Sequence, residues 1–380
     1  FFLHPPRSDR IAQMPNLPTK QRAAASLKSA FVGDALAMPV HWYYNPMDIY
    51  RQFPGGITQY EAAPDYHPSS IMSLHSTRKG GRSARGATDT QREIVGDVIL
   101  KGRKKFWGKA NQHYHHGMPA GENTLNAYCC RALLRVLARD SGHYHRDSFL
   151  DAYIELMTAE PPQHPDTYAE SYHRGFFANL DQGRPAHKCG AVTHDTASIG
   201  GLVTIAPIVF AERLAGIPLE QVTQHCIDHL ALTHPDPYLA KVCGDYIGLL
   251  NDLLFRDPES DAKALISAWS KRSVSLQMSE IFPRIQSDNE VVGGMFSSAC
   301  YITDSWPCIL YLAYKYCNAP EAGLLANTNL GGDNVHRGTI LGTLLGLSSG
   351  AAVDTLFTQL RHSNEIEKEI DDLLLALATA

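Results

Sequence analysis

The residues best able to do chemistry lie in four short stretches, each beside a helical pattern. In Asn329-Leu330-Gly331-Gly332-Asp333-Asn334-Val335-His336-Arg337-Gly338 a Gly-Gly turn and a carboxylate precede an apolar run. A helix start exposes unpaired N–H groups, so it can hold a phosphate, and its Asp can hold a hard cation. Asp333 could equally cap the helix, a role worth about 1 kcal/mol. Gly117 to Thr124 ends in Gly121-Glu122-Asn123-Thr124, opening a helix near Leu125. These side chains can converge on a ligand; the alternative is Asn123 as cap, with Glu122 favouring the helix dipole. Gly190 to Gly201 carries His194 beside Asp195 and leads into an apolar helix running to Pro207. That pair suits acid/base work, a ligand contact or a hydrogen-bonded loop. Thr233-His234-Pro235-Asp236-Pro237 ends one helix and begins another.

Other clusters are less specific. His113, His115 and His116 precede the Glu122 stretch and offer substrate contacts; a zinc site there would need further ligands. His225 and His229 have metal-ligand spacing but lack the metalloprotease Glu between them, so they read as a surface helix. The run Lys101 to Trp107 is short and basic, which usually marks a solvated face. Arg78, Lys79, Arg82 and Arg85 could instead meet a substrate's phosphates.

Helices must position these residues. Ala23, Ala24, Leu27, Ala30 and Phe31 recur at helical spacing until Pro39. Leu125 to Val136 and Phe149 to Met157 form further stripes, as do Ile366, Ile370, Leu373 and Leu377. Pro307, after Asp304 and Ser305, reads as the first turn of a helix through Tyr316. Gly338, Gly342 and Gly346 recur every four residues in an apolar helix. Glycine is a poor helix former, so the row predicts close backbone packing at the centre of a bundle. Period-2 strands are nearly absent, so the fold class is all-α. Residues 51–90 break the helical pattern and read as one long loop.

The chain has 380 residues, 44% apolar and 19% charged, enough for a large core. No linker divides it, so the expected organisation is a tail at 1–19, native or not, and one domain at 20–380. A net charge of -5 gives no general attraction to nucleic acid or anionic membrane. No apolar run reaches membrane-span length and no signal peptide is visible. Eight scattered cysteines read as reduced thiols, and the expected location is cytoplasmic.

The four stretches together resemble the ADP-ribosylglycohydrolase family, whose members include ADP-ribosyl hydrolases, dinitrogenase-reductase-activating glycohydrolase and jellyfish lens crystallin. Family chains carry an early G-D-A-L motif, matched by Gly33-Asp34-Ala35-Leu36. They carry T-D-D-T at a helix start, a T-H-P-D-P-like turn matched by Thr233 to Pro237, and a late G-G-D-x-D-T. The order holds from about Lys20 to Gly350. The resemblance implies a single large orthogonal helical bundle.

Two motifs depart from the pattern. Their Thr and Asp residues would hold a pair of magnesium ions in the family. Here Gly121-Glu122-Asn123-Thr124 aligns with T-D-D-T, and Val335 and His336 stand where the late motif has its second Asp and its Thr. Ala87-Thr88-Asp89-Thr90 is the lower-ranked alternative anchor. A complete two-magnesium centre is therefore not expected, and at most one magnesium would sit on Glu122 and Asp333. The implied reaction is hydrolysis of a glycosidic bond at ribose C1 of an ADP-ribosyl or related substrate. Glu122 is the expected base and Asp333 the ligand or second acid. Asn123, Thr124, His194, Asp195, Asn334 and Asp34 are the expected substrate contacts, with the motif residues lining one cleft. The rivals are a repurposed enzyme acting on a non-nucleotide small molecule and a non-catalytic, crystallin-like binding protein.

Overall fold

The computed structural model describes residues 17–83, 92–351 and 353–377. Among these the architecture is helices joined by loops, with isolated bridges and no β-sheet. One contiguous apolar core runs from Ala23 to Leu377. No described helix is long and apolar enough to cross a membrane. All eight cysteines are free, and seven are buried.

The centre is one helix crossing. The first helix, Leu17–Ala37, packs along the glycine-rich helix, Asn334–Ser349, which is buried from Asn334 to Ser348. A Cβ on Gly338 would stand 2.7 Å from the Gly33 carbonyl oxygen, and one on Gly342 or Gly346 would run into the Ser29 or Ala25 carbonyl. The glycine row therefore exists so that two backbones can touch. Gly33 of the early motif and Gly338 of the late one are two sides of the same contact. That contact brings Asp34 and Asp333, far apart in sequence, into the same interior.

The helix Leu125–Arg139 begins where the apolar stripe predicts. Its first N–H groups are not capped by Asn123 or Thr124. The Thr124 N–H donates to Asp34 Oδ1 at 2.8 Å, and the Leu125 N–H to Asp166 Oδ2 at 2.8 Å. Two distant carboxylates thus do the work of a local cap.

Two helix boundaries differ from expectation. The helix Ile302–Tyr316 starts ahead of Pro307, which lies inside it. Buried Ile302 and Trp306, one turn apart, extend the apolar face N-terminally, and the Tyr301 carbonyl accepts the Ser305 N–H at 2.9 Å. Instead of one helix ending at Pro207, a 3-10 turn Ile199–Leu202 is followed by the helix Ile205–Leu214. Pro207 sits in its first turn, where a missing N–H costs no helical bond. His229, expected on a surface helix, is buried and bonded to Thr204 Oγ1 at 2.8 Å and Tyr144 OH at 3.0 Å, while His225 pairs with Glu212.

The 51–83 part of the long loop holds only the end of the helix Pro46–Gln52, one 3-10 turn, Met72–Leu74, and isolated bridges. Arg85 and the alternative anchor at Asp89 lie outside the described residues.

Candidate functional site

The Gly-Gly turn does not cradle an anion. Gly331 and Gly332 both take φ +65° and pair with the segment after the first helix. The Trp42 N–H donates to the Gly332 carbonyl at 2.8 Å, and the Gly332 N–H to the Tyr43 carbonyl at 2.7 Å. A Cβ on Gly331 would collide with that Tyr43 carbonyl. The pairing holds Trp42 at φ +62°, a conformation uncommon for a bulky residue. It also sets His41 directly on Asp333.

Asp333 occupies the cap position of its helix but makes no cap bond. Its Oδ1 instead accepts from His41 Nε2 at 2.9 Å and His336 Nδ1 at 2.8 Å. The chain of contacts continues both ways. His41 Nδ1 meets His115 Nε2 at 2.8 Å, and His115 Nδ1 meets Asp166 Oδ1 at 2.8 Å. On the other side His336 Nε2 lies 3.2 Å from Glu170 Oε1 and 2.9 Å from Asn126 Nδ2. Asn126 Nδ2 also donates to Glu170 Oε1 at 2.8 Å. All six ionisable members are buried.

Their protonation follows from who can donate. Burial pushes His41 down to about 3 despite its bond to Asp333, so it is neutral, with its proton on Nε2. Its bare Nδ1 must then accept from His115 Nε2. Since His115 also donates from Nδ1 to Asp166, both its nitrogens carry protons. This agrees with its pKa: burial opposes the charge, but Asp166 outweighs burial and raises it. Burial also opposes charge on His336, yet Asp333 and Glu170 on either side push it up to about 10. Burial would raise Glu170, but His336 and His173 hold it down to about 2. Asp333 is likewise held well below the carboxylate range by His336 and His41, against burial.

Two members of this network, Glu170 and His336, line a cavity of about 260 Å³. Trp42, Tyr44, Tyr114, Tyr168, Tyr172 and Tyr301 line it, with His75, Arg82, Glu170, His194, Asp195 and His336 as its titratable groups. Trp42 stacks on His41 with ring centroids 3.6 Å apart. Glu170 Oε2 is buried without a hydrogen-bond partner; His173 Nε2 lies 3.6 Å away, and burial pushes that imidazole down to about 4.

The structure brings some expected residues together and separates others. His194 and Asp195 line the cavity, 3.0 Å apart, and Asp195 accepts from Ser171 Oγ at 2.8 Å. Asp333 lies beneath it, bound to His336. Asn334 turns its amide N–H to the Thr328 carbonyl at 2.9 Å, with Oδ1 buried and unpartnered. Asn123 and Thr124 are committed to Asp34: the amide donates to Oδ1 at 2.8 Å and the hydroxyl to Oδ2 at 2.6 Å. Burial raises the Asp34 pKa despite these bonds.

Glu122 is not paired with Asp333. Its Oε1 accepts from Tyr128 OH at 2.9 Å, and its Oε2 faces Arg361 at 3.7 Å and His362 at 3.6 Å. Its partners lie on the helix that follows it, Leu125–Arg139, and just before the last helix, Ser363–Ala376, and it does not line the cavity. His234, in the Thr-His-Pro-Asp-Pro turn, packs its ring on Tyr172 at 4.1 Å, and Asp236 caps the next helix through the Leu239 N–H at 2.7 Å. His41, Trp42, Asn126, Asp166, Glu170 and Tyr172 went unread in the sequence. The run His41-Trp42-Tyr43-Tyr44, just past the early motif, was the available signal; nothing local marks Asp166 or Glu170.

These residues do not fit a pair of magnesium ions. Both Asp34 oxygens are taken by protein donors, Val335, at the position expected for the motif's second Asp, is fully buried and apolar, and Asp333 is shared by two imidazoles. Glu122 is engaged by Tyr128 and faces Arg361 and His362, and it is not among the groups gathered around Asp333. Among the described residues the metal-competent group is His41, Asp333 and His336.

Comparison with known proteins agrees with the fold. One similar solved structure is titled an ADP-ribosylglycohydrolase-related protein complex. It is 17% identical with a TM-score of 0.57, the match covering 95% of this chain and 99% of that one. No curated protein matches. The family model described as ADP-ribosylglycohydrolase matches residues 15–380, nearly the whole chain. The chain belongs to the ADP-ribosylglycohydrolase family and is a hydrolase of that kind.

Proposed function

We propose that the aromatic cavity binds the ribosyl part of an ADP-ribosyl or related substrate and hydrolyses its glycosidic bond at C1. The observation that carries this reading is Glu170 Oε2, a buried carboxylate oxygen without a partner on a residue that lines the cavity. Leaving such an acceptor bare costs about 1–3 kcal/mol or more, so its natural complement is a bound water. Oε1 is fixed by Asn126 and His336, which aims Oε2.

Glu170 takes a proton from that water as its oxygen adds to C1. The C1–leaving-group bond breaks with its electron pair, and His194, held by Asp195, gives the leaving atom a proton. The net change is addition of one water across the bond. Positive charge developing on the ribose ring faces Glu170, Asp195 and the aromatic rings, each of which stabilises a cation. Arg82, exposed at the rim, is placed to meet a phosphate. Asp333 touches no substrate; it is a positioning residue acting through His336.

The cavity's size favours a second reading of the substrate. At about 260 Å³ it falls just below the roughly 300–1,000 Å³ typical of drug-sized ligands. A simple ribosyl glycoside, or a non-nucleotide molecule of that size, fills it better than a whole ADP-ribosyl group. Chromatographic product analysis with N- and O-linked ADP-ribosyl conjugates and with simple ribosyl glycosides tests both. Release of a free ribosyl product, reduced about 100-fold or more in Glu170→Gln, supports hydrolysis at C1. No turnover of any of them, or full activity in Glu170→Gln, rejects it.

A further inference from the structure

The donor set under the cavity does not suit magnesium, but it suits another class of metal. We propose that His41 Nε2, His336 Nδ1 and the Asp333 carboxylate form a site for one first-row transition cation of the zinc class. The inference does not depend on the hydrolytic reading above.

The three donors lie within 4.8 Å of one another, and all three residues are buried. Two imidazoles and a carboxylate are a common set for zinc and its first-row neighbours, whereas magnesium prefers six oxygens at near-ideal octahedral geometry. Three protein ligands leave a further coordination position, and His336 is itself part of the cavity wall.

A second observation is independent of the donors. Histidines that hold a metal nearly always donate their other ring N–H to a carboxylate, a carbonyl or water, which fixes the tautomer. His336 has such a support directly, and His41 has one relayed through a second imidazole to a carboxylate. His336 Nε2 faces Glu170 Oε1 at 3.2 Å. His41 Nδ1 faces His115 Nε2 at 2.8 Å, and His115 Nδ1 rests on Asp166 at 2.8 Å. A cation on His41 Nε2 and His336 Nδ1 releases two protons to solvent: the one on His336 Nδ1 and one of the three on the His41–His115 pair, whose remaining two sit on His41 Nδ1, donating to His115 Nε2, and on His115 Nδ1, donating to Asp166. The hydrogen bonds outside the metal position, His41 to His115 and His115 to Asp166, are then kept. Trp42, stacked on His41, locks that ring's orientation.

The test uses the full chain, stripped with a chelator and titrated with Zn²⁺ against a chromophoric chelator in millimolar Mg²⁺. The expected result is one tight equivalent per chain, insensitive to Mg²⁺. Asp333→Asn and His41→Gln should each weaken binding by about 100-fold or more, and Glu170→Gln, which removes a supporting carboxylate, by about 10–100-fold. His225→Ala, on the separate Glu212 pair, should bind as the wild type does. Co²⁺ loaded into the wild type should show the intense visible bands of a low-coordinate nitrogen-bound ion. That readout stands even if the variants do not fold. Absence of a tight equivalent, an aquo-like Co²⁺ spectrum, undiminished binding in folded Asp333→Asn and His41→Gln, or loss of the site in His225→Ala would each overturn the proposal.

Discussion

Acid should destabilise this fold, and two of its buried histidines each supply a calculable share. His164 and His229 are buried and neutral. Burial pushes His164 down to about 4; Asp166 opposes this and Arg103, which donates to His164 Nδ1, reinforces it. Burial alone pushes His229 down to about 3. In the unfolded chain both titrate near 6.5. Their folded values are depressed, so their contribution is fully present above pH 6.5 and is lost as pH falls toward 3–4. At pH 5 the unfolded chain has bound both protons and the folded one neither. The difference of about 1.5 pH units at 1.36 kcal/mol per unit gives about 2 kcal/mol each, or about 4 kcal/mol together. That is a large share of a typical domain's 5–15 kcal/mol. Urea denaturation followed by circular dichroism at pH 7, 6 and 5 measures it. His229→Gln can still bond Thr204 and Tyr144 but cannot titrate, so it should recover about 2 kcal/mol of the loss between pH 7 and 5. Equal stability at pH 5 and 7, or an unchanged slope in His229→Gln, would refute the reasoning.

Three further outcomes follow from the geometry. Gly342→Ala should lower stability by about 1–3 kcal/mol or more, because its methyl group meets the Ser29 backbone; an unchanged melting temperature would show that the two helices are not in contact. Trp42→Ala should raise KM more than it lowers kcat, since the ring walls the cavity but carries no proton; the reverse pattern in steady-state kinetics would give Trp42 a role in the chemical step. Glu122→Gln separates the sequence expectation from the geometric one: with its carboxylate on Tyr128 and facing Arg361 and His362, turnover should survive. Loss of turnover with normal melting would move the catalytic carboxylate back to Glu122.

What the sequence made legible is the part governed by periodicity and small residues. The Gly338, Gly342, Gly346 row announced a backbone contact, and Gly33 supplies its other side. The stripe from Leu125 located its helix, because an apolar face at 3.6-residue spacing has few other uses. The site was less legible, because its carboxylates are recruited from positions without any local pattern. Asp166 and Glu170 sit four residues apart in a segment that reads as ordinary loop and helix start. Only the tertiary fold sets Asp166 on His115 and Glu170 on His336. The helix starts did mislead: Asp333, Asn123 and Thr124 occupy cap-like positions, yet none caps. Their side chains are drawn to buried partners whose unmet bonds would cost more than an exposed N–H facing water.

The altered motif positions make sense together as one electrostatic replacement. A buried carboxylate must be neutralised or paired, since an isolated charge in the interior is far too costly. In a two-magnesium site the dications would do this. On the expected motif alignment Asn123 and Val335 stand in place of two aspartates, and imidazoles stand beside the carboxylates Asp333, Asp166 and Glu170. His336 lies between Asp333 and Glu170, and His115 lies against Asp166. The substitution of His336 at the motif's threonine position is therefore coupled to Glu170, which would otherwise be a buried charge without a partner. Likewise the loss of an aspartate at Val335 is tolerable because His41 takes over the second contact to Asp333. A site decaying for lack of use would lose carboxylates and bases independently and strand some of them. Asp333 and Asp166 each have an imidazole within hydrogen-bonding reach, whereas Glu170 Oε2 has no partner and Asp34 is held by neutral donors instead. Of these two, only Glu170 adjoins the cavity, and it is there that the chemistry is proposed.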